Sequence, residues 1–496
     1  MTSKVLRAYL SQAYVTLVSI LFMPILLKQV GAEAFGLIGF FLMLQAWTQI
    51  ADLGAASVLL REMARFTAGA ITAEDAVACL RGFALVQAVM AAAIAAAIVG
   101  ASGWIATEWL GSSEFSAATV ARCVVYIGFA VALRWATGLY RSALVGLGRL
   151  DRVNTLSAIF ATIRFAGAVP FVVYVSNDPE IFFQFQVAVS SAEFCVFAWS
   201  VRDVMPRIES GVSVTRALIM LLPMLKSMSF LTVIWIGVSQ VDRLVLSGLL
   251  SLHDYGHFTL AVAAAGGVLV FAIPFNQTVQ PRLIALADSC DEVALAMFYR
   301  SCIERAAIGF VALGAGVAFF AEPILRMWTG SEVVAVASAP VLFWYGLNNA
   351  VVGVLAMPFM LQFAKGRLRL HVIGNILLLF TLVPAVIAGA IIGEARGAGA
   401  ALFSANLAFL LFWVPLVHRR FIPTQAWQWP CSYVFPVAIA VAFMLWVGAS
   451  VMPDGLSVIA TLAWILVSVI VAMGLGGAVA EGARAVVGNG LRQSRS

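Results

Sequence analysis

Long apolar stretches separated by short polar segments set the pattern of the whole chain. Fourteen of these stretches are long enough to cross a bilayer as helices, since a transmembrane helix needs about 20 predominantly apolar residues. Apolar and polar residues do not alternate with a period of two, so helices are predicted rather than the strands of a membrane barrel. The predicted spans are residues 9–30, 35–60, 79–100, 118–146, 153–176, 180–201, 216–250, 256–285, 298–320, 337–363, 368–392, 395–417, 432–451 and 456–479.

The composition agrees with this pattern. Of the 496 residues, 62% are hydrophobic and 11% are charged, whereas soluble domains carry about 25% charged residues. An all-α polytopic membrane protein is therefore predicted. The net charge of +6 does not indicate nucleic-acid binding, because membrane proteins collect Lys and Arg in their cytoplasmic loops. We expect contacts with membrane lipids and none with nucleic acid.

The basic residues fix the predicted orientation. With the N-terminus placed in the cytoplasm, 22 of the 30 Lys and Arg residues fall on the cytoplasmic side, three fall in outer loops and five fall within spans. Cytoplasmic loops are the ones enriched in Lys and Arg. Both termini are therefore predicted to be cytoplasmic, which requires an even number of spans.

An internal repeat relates the two halves of the chain. Similar short motifs recur at a nearly constant offset of about 219 residues, and an even number of spans separates the copies, so the copies are parallel repeats of six helices. The paired motifs are Phe35-Gly36 with Tyr255-Gly256, Arg81 with Arg300, Trp109-Leu110-Gly111-Ser112 with Trp328-Thr329-Gly330-Ser331, and Gly148-Arg149-Leu150 with Gly366-Arg367-Leu368.

The repeat predicts the domain organisation. We expect the two last helices, which lie outside the repeat, to be a peripheral addition facing lipid. The predicted parts are an N-terminal six-helix lobe at 1–201, a cytoplasmic linker at 202–216, a C-terminal six-helix lobe at 217–420, two extra transmembrane helices within 421–480 and a cytoplasmic tail at 481–496.

Several short motifs recur in a characteristic order along the chain. They are Pro24-Ile-Leu-Leu, Gly31-x-x-x-Phe35-Gly36-Leu37, Asp52-Leu53-Gly54 with Arg61 after it, Asp242-Arg243-Leu-Val-Leu-x-Gly248 and Tyr255-Gly256. These segments resemble those of Wzx-type polysaccharide flippases. The resemblance covers roughly residues 1–420 and implies the multidrug/oligosaccharidyl-lipid/polysaccharide exporter superfamily. Many Wzx-type members have twelve helices, and the extra pair predicted here also occurs in lipid II flippases of that superfamily.

The resemblance implies both an architecture and an activity. Two six-helix lobes would form a V around a cationic cavity. By alternating access they would move an undecaprenyl-diphosphate-linked oligosaccharide to the periplasmic leaflet of the bacterial inner membrane, for O-antigen, capsule or exopolysaccharide synthesis. Besides this substrate and membrane lipids, the polymerase and chain-length regulator of the same pathway are implied as partners. No cofactor is expected.

Two alternatives stay open. A cation-coupled multidrug-type exporter of the same superfamily would favour an acidic cavity, whereas basic residues outnumber acidic ones within these spans. A membrane glycan polymerase or ligase generally has a large periplasmic loop, and the predicted outer loops are all short. The chain also lacks the nucleotide-binding motif G-x-x-x-x-G-K-[ST] and the hydrolase motifs H-E-x-x-H and G-x-S-x-G. We therefore predict a transporter without enzymatic activity and without a metal site.

The seventh predicted span carries the first candidate substrate ligands. Charges inside a membrane span cost at least ~2.5–3.5 kcal/mol each on insertion scales and normally face a partner or a watery cavity. Lys226 and Gln240 share one helical face, and Arg243 flanks it. Cationic side chains suit a diphosphate, so Lys226, Gln240 and Arg243 are predicted to bind substrate. Asp242 points elsewhere and is a candidate for a structural ion pair or for ion coupling.

The first two spans add a second set of candidates. Gln45, Gln49 and Asp52 lie on one stripe, and the first span presents Gln12 on its own polar stripe. Polar stripes within a membrane must face protein or water, so these four residues are predicted to line the cavity. For Asp52 the alternative is an ion pair near Arg61.

The fourth, fifth and sixth spans hold Arg134, Arg164 and Glu193. Arg134 is predicted to contact substrate. Arg164 and Glu193 are predicted to form a buried structural pair inside the first bundle, with a role in coupling as the alternative.

Overall fold

The structure is a computed structural model that describes residues 3–52, 54–206, 233–289, 291–423 and 434–493, with side chains from Tyr14 to Ala483 except at positions 273, 274 and 277. Over this part of the chain, 9 helices are long and apolar enough to cross a membrane. The predicted all-α polytopic membrane fold is confirmed. The chain forms two compact units, Met1–Gly256 and His257–Ser496.

In its described residues the first unit contains nine helices and the beginning of a tenth. They are α1 (Ser3–Val30), α2 (Ala32–Trp47), α3 (Ala55–Thr67), α4 (Ala73–Trp104), α5 (Ala117–Gly146), α6 (Leu150–Phe165), α7 (Ala168–Tyr174), α8 (Pro179–Val204), α9 (233–249) and α10 (Leu252–Val270), with a 3₁₀ turn at Thr48–Asp52 and a π-helical turn at Ile105–Trp109. Helix α5 packs against α3, α4 and α8, while α1 packs against α6.

The second unit continues from α10. Its helices are α11 (Ala272–Asp288), α12 (Glu292–Phe319), α13 (Ala321–Thr329), α14 (Glu332–Ala364), α15 (Arg369–Ala408), α16 (Val414–Phe421), α17 (Phe435–Ser450) and α18 (Val458–Gln493), with a π-helical turn at Phe409–Trp413. Helix α12 packs against α14 and α17. Its crossing with α14 is close because a Cβ on Gly314 would lie 2.5 Å from the Gly346 carbonyl oxygen, the kind of small-residue contact that membrane helices use.

The second predicted span was wrong as a single helix. Instead of running continuously from 35 to 60, the backbone turns after Asp52, and Gly54 takes a left-handed φ of 80° before α3 begins. Glycine adopts this conformation without the strain that a Cβ would bring. Helix α3 has 13 residues and buries Val58 and Leu59 while Arg61 and Arg65 are exposed, so it is amphipathic rather than membrane-spanning.

Other predicted boundaries agree with the structure. The fifth and sixth spans separate before Asp178, whose carboxylate accepts a hydrogen bond from the Glu180 N–H (2.8 Å) and caps α8. The eleventh and twelfth separate at Gly393 and Glu394, where α15 has non-helical backbone angles. The compact units, in contrast, divide within α10. Since most of 202–216 lies outside the described residues, the lobe boundaries stay a prediction.

The backbone at the ends of α5 and α14 has the same conformation, at the two copies of the repeated Gly-Arg-Leu motif. After α5, Gly148 has a φ of 72°, and the Arg149 N–H donates to the Leu144 carbonyl (2.9 Å). After α14, Gly366 has a φ of 64°, and the Arg367 N–H makes the equivalent bond. Both ends are Schellman caps, which require a left-handed residue. This likeness in backbone structure supports the repeat at an offset of 218.

The N-termini of α4 and α12 repeat in the same way. The Thr72 hydroxyl accepts a hydrogen bond from the Asp75 N–H (3.1 Å), and 219 residues later the Asp291 carboxylate accepts one from the Ala294 N–H (2.9 Å). The side chains differ, yet both satisfy an N–H that has no partner within the helix. Thus α4 and α12 begin, and α5 and α14 end, at equivalent positions in the two halves.

The last two helices expose large apolar side chains. Phe443 on α17 is 59% exposed, and Ile459 on α18 is 81% exposed. The two helices are joined by a hydrogen bond from the Trp464 indole N–H to the Gly448 carbonyl (2.8 Å). Exposed apolar surface of this extent suits contact with lipid.

Candidate functional site

Three arginines surround one carboxylate inside the first unit. Arg134 and Arg141 lie two turns apart on one face of α5, Arg164 is in the last turn of α6, and Glu193 is on α8. The packing of α5 and α6 against α8 brings these side chains together. We call Arg134, Arg141, Arg164 and Glu193 the arginine cluster. Its formal charge is positive, because it contains three guanidinium groups and one carboxylate.

Glu193 connects two of the arginines. One carboxylate oxygen accepts a hydrogen bond from Arg141 Nη2 (3.1 Å), and the other forms an ion pair with Arg164 Nη2. The side chains of Arg164 and Glu193 are 9% and 4% exposed, whereas that of Arg141 is 45% exposed. The cluster therefore has a buried end at Arg164 and an accessible end at Arg141.

Arg134 completes the cluster without joining the ion pairs. Its guanidinium lies over the Phe41 ring of α2, 5.1 Å from the centroid, and is close enough to Arg141, Arg164 and Glu193 to interact electrostatically. Its buried Nη1 donates no hydrogen bond to any residue that the structure describes. A buried charged donor without an acceptor destabilises a protein by about 1–3 kcal/mol or more.

The depth of the cluster makes this cost significant. At a rise of about 1.5 Å per residue, Arg134 lies about 18 Å from the end of α5 at Gly146, the end predicted to be cytoplasmic, while Arg141 lies about 8 Å from it. Arg134 thus lies near the middle of a helix that is long enough to span a hydrocarbon core of about 30 Å. Ionisable groups at such depth normally face a polar cavity or a partner and mark functional sites.

The polar residues predicted along the second span follow the broken helix. Gln45 lies in α2, while Gln49 and Asp52 lie in the 3₁₀ turn. Both Asp52 carboxylate oxygens accept from the Ala56 N–H, each at 3.3 Å, at the start of α3. Asp52 thus stabilises the beginning of a helix, which its position in the sequence alone did not indicate. Binding of substrate by these residues stays a prediction.

The described part of the seventh span holds three of the predicted residues. Arg243 Nη1 donates to the Gln240 side-chain oxygen (3.0 Å), and the Arg243 carbonyl accepts from the Tyr255 hydroxyl (3.2 Å). Asp242 is 4% exposed. Gln240 and Arg243 therefore form one polar group, as expected for one helical stripe. Lys226 and the side chain of Gln12 lie outside the described residues.

Helices α2 and α10 approach each other very closely near the predicted periplasmic end. A Cβ on Gly36 would lie 2.1 Å from the Leu252 carbonyl oxygen, and a Cβ on Gly256 would lie 2.3 Å from the Ala32 carbonyl oxygen. Gly36 and Gly256, like Ala32 and Leu252, are 220 residues apart. Repeat-equivalent residues thus exchange equivalent contacts, which we call the glycine crossing. Because of these contacts, the first turn of α10 belongs to the first unit.

A buried carboxylate holds the adjacent loop against α2. Glu33 is 1% exposed. It accepts hydrogen bonds from both the hydroxyl (2.5 Å) and the N–H (2.9 Å) of Ser113, from the Ser112 hydroxyl (2.5 Å) and from the Glu114 N–H (3.1 Å). Glu33 was not among the predicted site residues, although its place before the repeated Phe35-Gly36 motif was a usable signal.

The same loop is tied to the turn between α9 and α10. The Trp109 indole N–H donates to the Ser247 hydroxyl (3.1 Å), and the Leu252 N–H donates to the Gly111 carbonyl (2.8 Å). The repeated Trp109–Ser112 motif therefore has a structural role at the glycine crossing.

In the second unit several buried polar groups are neutral, beside the buried Glu304, which is ion-paired with Arg300 (3.1 Å). Asn406 donates to the Asn348 side-chain oxygen (2.9 Å), Asn349 donates to the Ala265 carbonyl (2.9 Å), and the Tyr299 hydroxyl is hydrogen-bonded to His418 Nε2 (2.8 Å). These bonds link helices. Throughout the described residues, no group of three or more His, Cys, Asp or Glu side chains could hold a metal ion.

Solved membrane proteins share this architecture. The lipid II flippase MurJ, in an inward closed conformation, has a TM-score of 0.69 at 13% identity over 95% of this chain and 98% of that chain. A multidrug resistance MATE family transporter of the MOP superfamily, in an inward-facing conformation, has a TM-score of 0.63 at 13% identity over 81% and 94%. The Vibrio cholerae MATE transporter VcmN gives 0.53 at 13% identity over 84% and 97%.

The chain has the fold of these transporters. No protein-family model matches it, and no curated protein is significantly similar to it in sequence. At 13% identity the likeness is one of fold, so the substrate has to be inferred from the residues of this chain.

Arg141 was not among the predicted substrate ligands, yet it is inside α5 and bonded to Glu193. Arg141 follows Arg134 by seven residues, and this spacing puts both side chains on one helical face. The sequence therefore contained a signal that associates Arg141 with the arginine cluster.

Proposed function

We propose that this protein is a flippase that moves an undecaprenyl-diphosphate-linked oligosaccharide from the cytoplasmic to the periplasmic leaflet. The observation that carries the proposal is the arginine cluster, which gathers three guanidinium groups and one carboxylate on helices long enough to span a membrane. A diphosphate cannot cross hydrocarbon without compensation of its charge, and guanidinium groups match phosphate oxygens in geometry as well as in charge. The fold shared with a lipid II flippase supports the same conclusion.

The charge of the site also separates this proposal from its rival. A MATE family multidrug transporter has the same fold, so an exporter of amphipathic cations is the rival proposal. Bringing a cation towards Arg134 and Arg141 would be opposed by electrostatic repulsion, which is strong where the surroundings have a low dielectric constant. The cluster therefore favours an anionic substrate.

In the proposed mechanism the protein contributes binding and orientation only. Arg134 and Arg141 neutralise the diphosphate, while the amides of Gln45 and Gln49 and the paired Gln240 and Arg243 provide hydrogen bonds for sugars. The two repeats would expose the site alternately to each side of the membrane. No covalent chemistry is required.

The cellular setting follows from the substrate. A lipid-linked glycan is made on the cytoplasmic face of the bacterial inner membrane and used on the periplasmic face. We accordingly place the protein in that membrane as a multi-pass protein with both termini cytoplasmic, for O-antigen, capsule or exopolysaccharide synthesis. A polymerase and a chain-length regulator would receive the product.

The double substitution Lys226→Ala with Arg243→Ala tests this function. Removal of two charge-assisted contacts should lower the rate of transfer at least ~10-fold, while the protein stays in the membrane. The measurement uses proteoliposomes that contain undecaprenyl-diphosphate disaccharide with a fluorescent sugar, and follows the lipid that becomes accessible to a membrane-impermeant quencher.

The matched control is Lys28→Ala with Arg326→Ala, which removes the same two residue types near the outer side. Arg326 is paired with Glu322 (2.7 Å) and Glu332 (2.5 Å), so the control should transfer lipid like the unmodified protein. Absence of transfer by the unmodified protein, together with export of ethidium, would overturn the proposal in favour of the multidrug exporter.

A further inference from the structure

We infer that Arg282 and Arg305 form a site on the second unit for the phosphate group of an anionic phospholipid from the cytoplasmic leaflet. The site lies along the groove between α11 and α12, and the inference does not depend on which substrate is transported. Three features carry it: two cationic side chains that meet without a counter-ion, an aromatic ring that orients one of them, and the outward-facing position of the other.

The packing of α11 against α12 brings the two arginines together. Phe275 of α11 contacts Phe310 of α12, with ring centroids 5.8 Å apart. Two turns further along α11, the Arg282 guanidinium lies over the Phe298 ring of α12, 4.7 Å from its centroid. Arg305 follows Phe298 by seven residues and shares its helical face. Since helical side chains point towards the N-terminus of their helix, Arg305 extends towards Arg282.

The two guanidinium groups meet near Cys302 without a counter-ion. This cysteine is buried, and both groups are close enough to its sulfur to interact with it electrostatically. Neither arginine forms an ion pair with any residue that the structure describes, and the carboxylate next to Arg305 in the chain, Glu304, is paired with Arg300 (3.1 Å). Like charges repel strongly where the dielectric constant is low, so a shared anion stabilises this arrangement.

The Phe298 ring orients one of the two cations before a ligand arrives. Arg282 is exposed although it lies over this ring. A cation–π contact uses the positive charge of the guanidinium and leaves the N–H donors at its edge available. These donors form a fork that matches the oxygens of a phosphate group. A phosphate is therefore a better match to Arg282 than a small spherical anion.

The internal repeat indicates that Arg305 faces lipid. Its counterpart 219 residues earlier, on α4, is Val86. Val86 is 41% exposed, and its neighbours Leu85 and Val89 are 61% and 62% exposed. Such an apolar surface on a membrane helix suits contact with lipid. Arg305 is exposed as well, so the second half carries a cation where the first half carries an apolar side chain, and a charge in this setting normally has a partner.

The position along α12 agrees with a lipid phosphate. About 20 residues of helix cross a hydrocarbon core, and α12 contains about that many between Phe298 and its end at Phe319. The contact of Arg282 with Phe298 is therefore expected at the cytoplasmic border of the hydrocarbon, where phosphate groups lie. Basic pockets between transmembrane helices on this side bind anionic headgroups. An anionic lipid is favoured over a zwitterionic one, whose own cation would be repelled by the two arginines.

The test measures lipid binding by the full-length protein in detergent, with native mass spectrometry and thermal unfolding as readouts. The probes are phosphatidylglycerol, phosphatidylcholine and inorganic pyrophosphate. Phosphatidylglycerol should be retained in preference to phosphatidylcholine and should raise the unfolding midpoint. Arg282→Gln with Arg305→Gln should weaken phosphatidylglycerol binding at least ~10-fold, because charge-assisted hydrogen bonds are lost, and should abolish the rise in the midpoint.

The matched control is Arg367→Gln with Arg369→Gln. These arginines are also exposed, belong to the same unit and lie on the same predicted side of the membrane, so the control should bind phosphatidylglycerol like the unmodified protein. A further variant, Arg305→Val, has the residue type that the repeat places at Val86. Without phosphatidylglycerol it should unfold at the same temperature as the unmodified protein or at a higher one, since repulsion between the two cations is removed.

Several results would overturn the inference. Normal phosphatidylglycerol binding by Arg282→Gln with Arg305→Gln would exclude the site, and an equal loss of binding in the control would show unspecific attraction to a basic surface. Displacement of phosphatidylglycerol by pyrophosphate would identify a site for a soluble phosphate compound instead of a lipid. A lower unfolding midpoint of Arg305→Val in the absence of lipid would show that Arg305 has a structural role within the protein.

Discussion

Gly256→Ala is expected to lower the yield of folded protein severely and to reduce its thermal unfolding midpoint. The added Cβ would lie 2.3 Å from the Ala32 carbonyl oxygen, and a backbone atom in a packed helix cannot rotate away as a side chain can. Overpacking costs typically 1–3 kcal/mol and more where the backbone must shift. Gly36→Ala, with a contact of 2.1 Å to the Leu252 carbonyl oxygen, should have the same effect.

Gly266→Ala is the control for helix propensity. Gly266 lies in the same helix, α10, and a Cβ there would meet nothing within 4 Å. Alanine favours a helix over glycine by about 1 kcal/mol, so this variant should be as stable as the unmodified protein or more stable. Unfolding midpoints are measured in detergent after size-exclusion chromatography. Equal midpoints for Gly256→Ala and Gly266→Ala would refute the close approach at the glycine crossing.

The glycine crossing lies within the first unit and joins repeat-equivalent residues of α2 and α10. Each helix contributes a glycine that packs against a backbone carbonyl of the other, so the two sides of the contact are equivalent. In an isologous interface between identical subunits, equivalent residues exchange equivalent contacts in the same way. The parallel six-helix repeat therefore has a local consequence that is visible residue by residue.

Much of the fold could be predicted because membrane helices leave simple signals. The length of the apolar stretches predicted the helices, and polar or glycine residues marked the helix ends at Asp178 and at Gly393. The break before α3 was missed because Gly54 sits within an apolar run, and glycine is tolerated inside membrane helices. Only the observed φ of 80° distinguishes a turn from a continuous span.

The candidate site was predictable in part. Helical spacing placed Gln240 beside Arg243, and it placed Arg134 and Arg141 on one face. It could not show that Glu193 is shared between Arg141 and Arg164, because that depends on how three helices pack against one another. Asp52 illustrates the same limit, since its carboxylate accepts from the N–H of Ala56 across a turn that the hydropathy pattern did not reveal.

Arg164→Ala is expected to lower the amount of folded protein much more than the transfer rate per molecule. The substitution leaves the buried Glu193 with Arg141 as its ion-pair partner, and removal of one member of a buried pair costs about 3–5 kcal/mol. Arg134 and Arg141, which bind the diphosphate in our proposal, are retained. The measurement divides the transfer rate in proteoliposomes by the amount of protein recovered as a monodisperse peak.

A second substitution should restore stability if this account is correct. Arg164→Met combined with Glu193→Leu replaces the pair by apolar groups, and such replacements of buried ion pairs are often neutral or stabilising. The double variant should therefore be recovered in larger amounts than Arg164→Ala, and the coupling between the two positions can be measured with a double-mutant cycle. An Arg164→Ala protein that is abundant but inactive would contradict the structural role, because it would show that Arg164 itself contacts the substrate.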